Sequence, residues 1–183
     1  MPHTHATDEL VVLLDEHATP IGQHPKATVH TDHTPYHLAF SSYLLDGHGR
    51  VLITRRALGK AAWPGVWTNS ACGHPAPGED IASAVRRRTA HELGADIGEP
   101  RVVLPEFSYR AVDASGIVEW EFCPVYVARL EASINPNPDE VCDWAWVEAD
   151  KLVQAVRLMP EVFSPWMVEQ LSDRRLVDAI SES

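Results

Sequence analysis

Residues 73–94 read GHPAPGEDIASAVRRRTAHELG, and this stretch decides the fold. Its opening, with Gly73, Pro75, Pro77 and Gly78, closes a longer run (63–77) rich in Gly, Pro and Trp. That run has no periodicity, so it is expected to be irregular, and functional residues often sit on such loops. Residues 79–93 then read as a helix. Ile81, Val85 and Thr89 form one stripe, and Gly94 follows as a stop signal. Glu92 falls on the same stripe. A carboxylate there is costly unless it is paired or bound to a metal. An ion pair with Arg88, one turn earlier, and a ligand role both stay open.

Outward from this stretch, no repeat or low-complexity linker divides the chain. Its 183 residues suit one domain. The apolar run 10–14 is followed by a turn at 15–20. Residues 30–36 read as a loop, 37–45 as a strand, Asp46-Gly47-His48-Gly49 as a hairpin turn and 51–56 as the returning strand. Residues 101–112 and 117–130 read as two strands around Asp113-Ala114-Ser115-Gly116. A Pro/Asn loop at 135–139, a strand at 142–147 and helical patterns at 149–158 and 165–180 complete the chain. Ser164-Pro165 offers a cap with Pro at the first helical position. The class expected is α+β, a mixed sheet packed between helices.

Composition narrows the function. Fifteen Lys and Arg against 26 Asp and Glu give a net charge of -11, which argues against a nucleic-acid partner. An acidic protein with an anionic substrate needs local compensation, from metal ions or a basic cluster. Arg55, Arg56 and Lys60, just before the loop, could receive phosphate oxygens. The plainer reading is a solvated hairpin end. No stretch of 18 apolar residues occurs, so no membrane span is expected. The His-rich, acidic N-terminus does not read as a secretory signal. Three widely spaced cysteines, Cys72, Cys123 and Cys142, fit reduced thiols and a cytoplasmic location.

Two constellations could carry chemistry. Glu119 and Glu121 are one residue apart in a strand, so both face the same way. Adjacent carboxylates repel, and a divalent metal would neutralise them. Two solvated acids on an exposed strand is the plainer alternative, weakened by the apolar flanks, which make the strand look central. Cys72-Gly73-His74 brings a thiol and an imidazole together, without the second pair that a structural zinc site needs. His30 and His37 are further candidates. His3, His5 and His17 read as solvent-exposed.

The helix and its loop carry a recognisable frame. Gly73, five residues, Glu79, seven residues, Arg87, then Glu92-Leu93-Gly94 resembles the Nudix box, G-x5-E-x7-R-E-U-x-E-E-x-G-U. Arg88 and His91 stand where two of the box glutamates belong, which argues against pyrophosphate hydrolysis while keeping the fold. One Nudix branch departs in this way. TRRALGKAAWPGVWTNSACGHP (54–75), HLAFSSYLL (37–45), YRA (109–111), GIVEWEFCPV (116–125) and FSPWM (163–167) closely resemble type I isopentenyl-diphosphate isomerases. The likeness runs from His30 to the final helix.

That resemblance implies a Nudix-type catalytic domain over 30–183. Residues 1–29 would be an N-terminal segment whose short strand pair packs on the core, making one structural domain in all. It implies a metal held by His30, His37, His74, Glu119 and Glu121, with manganese, zinc or magnesium all compatible with the donors. Cys72 and Glu121 match the acid/base groups on opposite sides of the substrate, and Tyr109 the tyrosine bonded to that glutamate. Glu92, with the backbone carbonyl of Cys72, matches the site of a magnesium ion that rides on the diphosphate. Lys26, Arg56 and Lys60 match basic residues near the diphosphate, and Trp166 the tryptophan facing the hydrocarbon end. The implied reaction interconverts isopentenyl and dimethylallyl diphosphate by protonation and deprotonation, supplying isoprenoid synthesis. A small-molecule substrate and a monomer or weak dimer are expected. The main alternative is a Nudix hydrolase of a nucleotide or prenyl diphosphate, and a second is a non-catalytic metal-binding module in which Cys72 is merely a buried thiol.

Overall fold

A computed structural model describes residues 9–182. His3 and His5 lie outside the described residues. The chain opens with a hairpin, β1 (Leu10–Leu14) and β2 (Pro20–Pro25). Its turn is held by Asp15, whose Oδ1 accepts from the amides of His17 and Thr19, each at 2.9 Å. A single helical turn, α1 (Lys26–Val29), carries no periodicity that the sequence could announce. Then come β3 (His37–Leu38), β4 (Phe40–Leu45), β5 (Arg50–Arg56), β6 (Trp67–Thr68), β7 (Ala71–Gly73) and α2 (Ile81–Leu93). After α2 follow β8 (Arg101–Leu104), β9 (Ser108–Val112), β10 (Val118–Phe122), β11 (Val125–Arg129) and β12 (Val141–Glu148). Three helices close the chain: α3 (Ala149–Leu158), α4 (Pro165–Gln170) and α5 (Arg174–Ser181).

These strands make two sheets. One has the order β2-β1-β3-β10-β9. The other has β12-β5-β4-β11-β8, with β6 on β5 and β7 on β4. Three runs that read as single strands are each cut, and each cut moves the chain between sheets. The run 37–45 divides at Ala39, 101–112 between β8 and β9, and 117–130 between β10 and β11. Pro105 and Pro124 stand in two of the cuts, where a residue without an amide hydrogen cannot extend a ladder. Hydrophobic alternation cannot reveal a change of sheet, because both halves keep a buried face.

The larger sheet is covered on both faces. Ala84, Val85 and Leu93 of α2 pack with Phe40, Leu44 and Leu52. On the other side, Leu152 and Val156 of α3 and Leu176 and Ile180 of α5 pack with Tyr43, Leu45, Val51 and Ile53. β4 is therefore buried along its whole length, odd residues toward one layer and even toward the other. The mixed α+β architecture is the one the pattern predicts.

Several boundaries differ from the sequence reading. α2 begins at Ile81, because Asp80 is its cap, accepting from the Ser83 amide at 3.0 Å. Glu79 instead pairs with Arg87. α2 ends as expected at Gly94, whose φ of 61° is left-handed; a Cβ there would lie 2.6 Å from the Asn135 carbonyl oxygen. The helix expected over 165–180 is two, because Asp173 accepts from the Arg175 amide and starts α5 afresh. Pro165 does occupy the first turn of α4, but Ser164 makes no side-chain cap; its Oγ lies 2.8 Å from Thr68 Oγ1. The run 63–77 is not wholly irregular either. Two short strands in it borrow their order from the edges of β5 and β4.

Candidate active site

The cut strands build the site. β10 lies between β3 and β9, so Glu121 is registered opposite His37 on one side and Tyr109 on the other. Glu119 and Glu121 both point inward, while Trp120 between them is 41% exposed. The expectation of a central strand with both acids on one face is met. His74 reaches the same point from the loop after β7, and His30 from the loop after α1. The box frame braces that loop: Arg87 grips Glu79 and also donates to the His74 carbonyl at 3.2 Å.

His30, His37, His74 and Glu121 each offer a ligand atom, all within 4.8 Å of one another. Their chemistry asks for a cation. His37 Nδ1 lies 2.8 Å from the Pro35 carbonyl, which can only accept, so Nδ1 carries the hydrogen and Nε2 is left to face the cluster. His37 Nε2 lies 3.2 Å from both His74 Nε2 and Glu121 Oε1, and His74 Nε2 lies 3.0 Å from that oxygen. His30 Nε2, 3.9 Å from the same oxygen, is buried without a hydrogen-bond partner. Lone pairs crowded this closely repel unless a proton or a metal lies among them. Burial holds His74 down to about 3, the neutral form that a metal ligand needs. Burial would also raise the Glu121 carboxyl, but the imidazoles around it hold it well below the ordinary range. Burial would lower His37, yet Glu121 and Glu119 raise it. The residues fit a divalent metal.

Glu119 stands outside that group of four. The Tyr109 hydroxyl lies 2.7 Å from Glu119 Oε2 and 2.8 Å from Glu121 Oε2. One phenolic hydrogen can serve only one of them at a time. Burial and the neighbouring Glu121 raise the Glu119 carboxyl, opposite to the direction in which the imidazoles move Glu121.

A cleft of about 930 Å³, counting its open mouth, lies against this cluster. It is lined by His30, His74, Glu119, Glu121 and Tyr109, and by Cys72 and Trp166. Lys26, Arg56, Lys60 and Glu92 line it too, so the sequence-predicted residues meet in one place, His37 just behind the lining. Arg55 does not line it; its Nε donates to the Gly65 carbonyl. Burial pushes the Cys72 thiol up to about 12, despite contacts with Ser41 and Asn69. Trp166 is 2% exposed, its ring 5.4 Å from Trp63 and 5.6 Å from Tyr109. Arg56 lies over that ring at 5.5 Å and donates to the carbonyls of Ala62 and Trp63. Trp63 itself has a φ of 46°, strain that the contact with Arg56 and an amide bond to Asp113 offset.

Three lining or anchoring residues escaped the sequence reading. Arg88 counted there only as a departure from the box and as a pairing partner. It is buried, donates to Glu92 Oε1 through Nε and Nη2, and lies 3.3 Å from Glu140 Oε1. Glu140 also pairs with Lys60; burial would raise its carboxyl, but Lys60 and Arg88 hold it down at about 2. Asn69 is buried beside Cys72. Asn69 lies within the segment 54–75 that carries the resemblance, but only the fold shows its partners; no signal pointed to Glu140. The Glu92–Arg88 pair exists as the sequence allowed, and it uses Oε1 alone. Glu92 Oε2 takes no hydrogen bond among the described residues. Gly73 is required by packing, since a Cβ there would lie 2.7 Å from Arg88 Cγ and 3.1 Å from the Phe40 ring.

Comparison with known proteins follows this geometry. The NUDIX domain family matches residues 35–167. The isopentenyl-diphosphate Delta-isomerase of Corynebacterium efficiens is 57% identical over 181 residues, covering 96% of this chain and 95% of that one. That of Agromyces mediolanus is 60% identical, covering 88% of this chain and 79% of the other. Among solved structures, the DR0079 protein of Deinococcus radiodurans superposes with a TM-score of 0.69 at 20% identity, covering 90% of this chain and 98% of that one. A MutT protein from Methanosarcina mazei Go1 gives 0.63 at 16%, covering 81% and 97%. At such identities these two speak for the fold alone. The NUDIX match and the identity to the isomerases over nearly the whole chain make this protein a member of the isopentenyl-diphosphate Delta-isomerase family, on a Nudix fold.

Proposed function

We propose that this chain interconverts isopentenyl and dimethylallyl diphosphate by moving a proton onto one end of the alkene and taking another from the far side. The observation that carries the reading is a single cleft lined by the Cys72 thiol, Glu121 and Trp166, with Lys26, Arg56 and Lys60 also in its wall. An unactivated alkene is a weak base, so its protonation needs an acid, a base and a dry pocket. The proton goes to the terminal carbon and leaves a tertiary cation. Loss of a proton from the carbon on the other side completes the allylic isomer, so no atom is gained or lost. Cys72 and Glu121 take the two roles and exchange them between the two directions. Tyr109 holds the Glu121 carboxylate in place. The Trp166 ring faces the cation, a contribution of about 1–2 kcal/mol when desolvated.

The diphosphate is held by Lys26, Arg56 and Lys60, with Arg88 behind them. Binding far from the reacting carbons keeps the alkene aligned. His30, His37, His74 and Glu121, with Glu119 beside them, would hold a manganese, zinc or magnesium ion, which when bound would tune the acidity of Glu121 and Tyr109. Glu92 and the Cys72 carbonyl would hold magnesium carried by the diphosphate. Of the segment 1–29, the described residues 9–29 contribute Lys26 and pair β1 with β3, so we treat the segment as part of one catalytic unit with 30–183. We place the enzyme in the cytoplasm. The support is three cysteines that stay free thiols, and no described helix is long and apolar enough to cross a membrane.

The hydrolase reading lacks an acid at position 88, where Arg88 is committed to Glu92 and Glu140. Purified protein with isopentenyl diphosphate and magnesium separates the two. The isomerase yields the allylic isomer without phosphate release. Phosphate release without that isomer would establish a hydrolase instead.

A further inference from the structure

We propose that Asn69 is a positioning residue that holds the Cys72 thiol and the Trp166 indole on one anchor. The proposal deepens the isomerase reading and rests on its roles for Cys72 and Trp166. Asn69 is fully buried at the turn between β6 and β7. Its Nδ2 donates to the Ser42 carbonyl at 3.1 Å and the Ala71 carbonyl at 2.9 Å. Carbonyl oxygens only accept, so the amide cannot be flipped, and Oδ1 must face the opposite way. There it accepts from the indole Nε1 of Trp166 at 3.1 Å, a group that only donates. Cys72 Sγ donates to the same oxygen at 3.2 Å, and Thr68 Oγ1 at 2.9 Å.

Both ends of the amide are thus fixed by groups with no alternative role. β4 and β7 supply the backbone half, and the catalytic groups supply the other. Cys72 comes from β7 and Trp166 from α4, nearly a hundred residues later. One oxygen sets their mutual position. In a proton transfer to carbon, a displacement of about 1 Å costs roughly 100-fold in rate. The sulfur has a second neighbour, Ser41 Oγ at 3.6 Å, which accepts from Gln170 Nε2 at 2.9 Å. That contact is longer, and it does not reach Trp166, so it cannot replace Asn69 as the common anchor.

The test uses the full-length enzyme with its metals. Asn69→Ala removes both halves of the anchor. Trp166→Phe removes the indole donor and also shrinks the ring that faces the cation, so the anchor is read from the difference between its effects in the two backgrounds. Asn69→Ala should lower kcat roughly 100-fold, with KM and the affinity for magnesium diphosphate changed less than about 2-fold. Trp166→Phe should lower kcat in the wild-type background and cost far less in the Asn69→Ala background, because the bond it removes is already gone. If Asn69→Ala does not fold, Asn69→Ser replaces it, a side chain too short to hold the thiol and the indole together: reduced kcat with KM unchanged supports the anchor, and wild-type kcat in Asn69→Ser or in Trp166→Phe overturns it. Folded Asn69→Ala with kcat near wild type, or with its loss carried by KM and diphosphate affinity, also overturns it. Inactive wild-type enzyme would instead defeat the isomerase reading on which the proposal rests.

Discussion

Tyr109 and Glu121 are direct partners across the β9–β10 ladder, and the tyrosine hydroxyl lies 2.8 Å from the carboxylate. Glu121's other oxygen faces His30, His37 and His74. One carboxylate therefore divides its two oxygens between a phenol and a metal-ligand cluster. Tyr109→Phe keeps the ring packed against Trp166 and removes the hydroxyl. It should lower kcat about 10- to 100-fold with metal content unchanged, as read by initial rates and elemental analysis.

Removing either acid/base group should be more severe. Cys72→Ser and Glu121→Gln should each reduce turnover by roughly 1000-fold or more. Metal analysis after dialysis separates them: Glu121→Gln should lose metal and Cys72→Ser should retain it. Near-wild-type activity in either variant removes that residue from the mechanism.

The thiol of Cys72 is held protonated by burial, with its pKa raised to about 12. Desolvation penalises the thiolate, so the reactive form appears only as pH climbs toward that value. In metal-free protein, alkylation of Cys72 followed by peptide mass spectrometry should lag far behind free cysteine at pH 8. Alkylation as fast as free cysteine at pH 8 would show a thiol in the ordinary range.

Arg88 is buried between Glu92 and Glu140. Arg88→Met leaves both carboxylates without their shared partner, at a cost of about 3–5 kcal/mol in urea unfolding. KM for the diphosphate substrate should rise as well. Adding Glu92→Gln to Arg88→Met should restore part of the stability, since Arg88 is the donor to Glu92 whereas Glu140 keeps Lys60, and the uncompensated charge is gone. No recovery in the double variant would mean that the loss comes from packing.

Gly73→Ala tests the packing beneath the motif. The added methyl meets Arg88 Cγ and the Phe40 ring, so the variant should lose about 1–3 kcal/mol. Unchanged stability in urea would show that α2 can move away from β7.

The sequence made this site legible where chemistry and motif spacing coincide. Glu119 and Glu121 could be placed on one face by strand alternation alone. Cys72 and His74 were visible as candidates, but their convergence with His30 and Glu121 depends on strands from two sheets. Nothing local signals that Ala39 or Pro124 carries the chain from one sheet to the other. α2 was readable because its stripe packs on β4, whereas the split between α4 and α5 depends on one cap at Asp173. Arg88 and Glu140 stayed hidden for a physical reason: isolated charges look solvated until the fold buries them against each other.

The central claim is that protons enter and leave the substrate on opposite sides, between Cys72 and Glu121. The direct measurement is proton NMR of isopentenyl diphosphate with the metal-loaded enzyme in deuterated water. Dimethylallyl diphosphate should appear with deuterium in its new methyl group, and Cys72→Ser and Glu121→Gln should each suppress it. Product formed without deuterium would contradict the claim, because the migrating hydrogen would then never have passed through an exchangeable side chain.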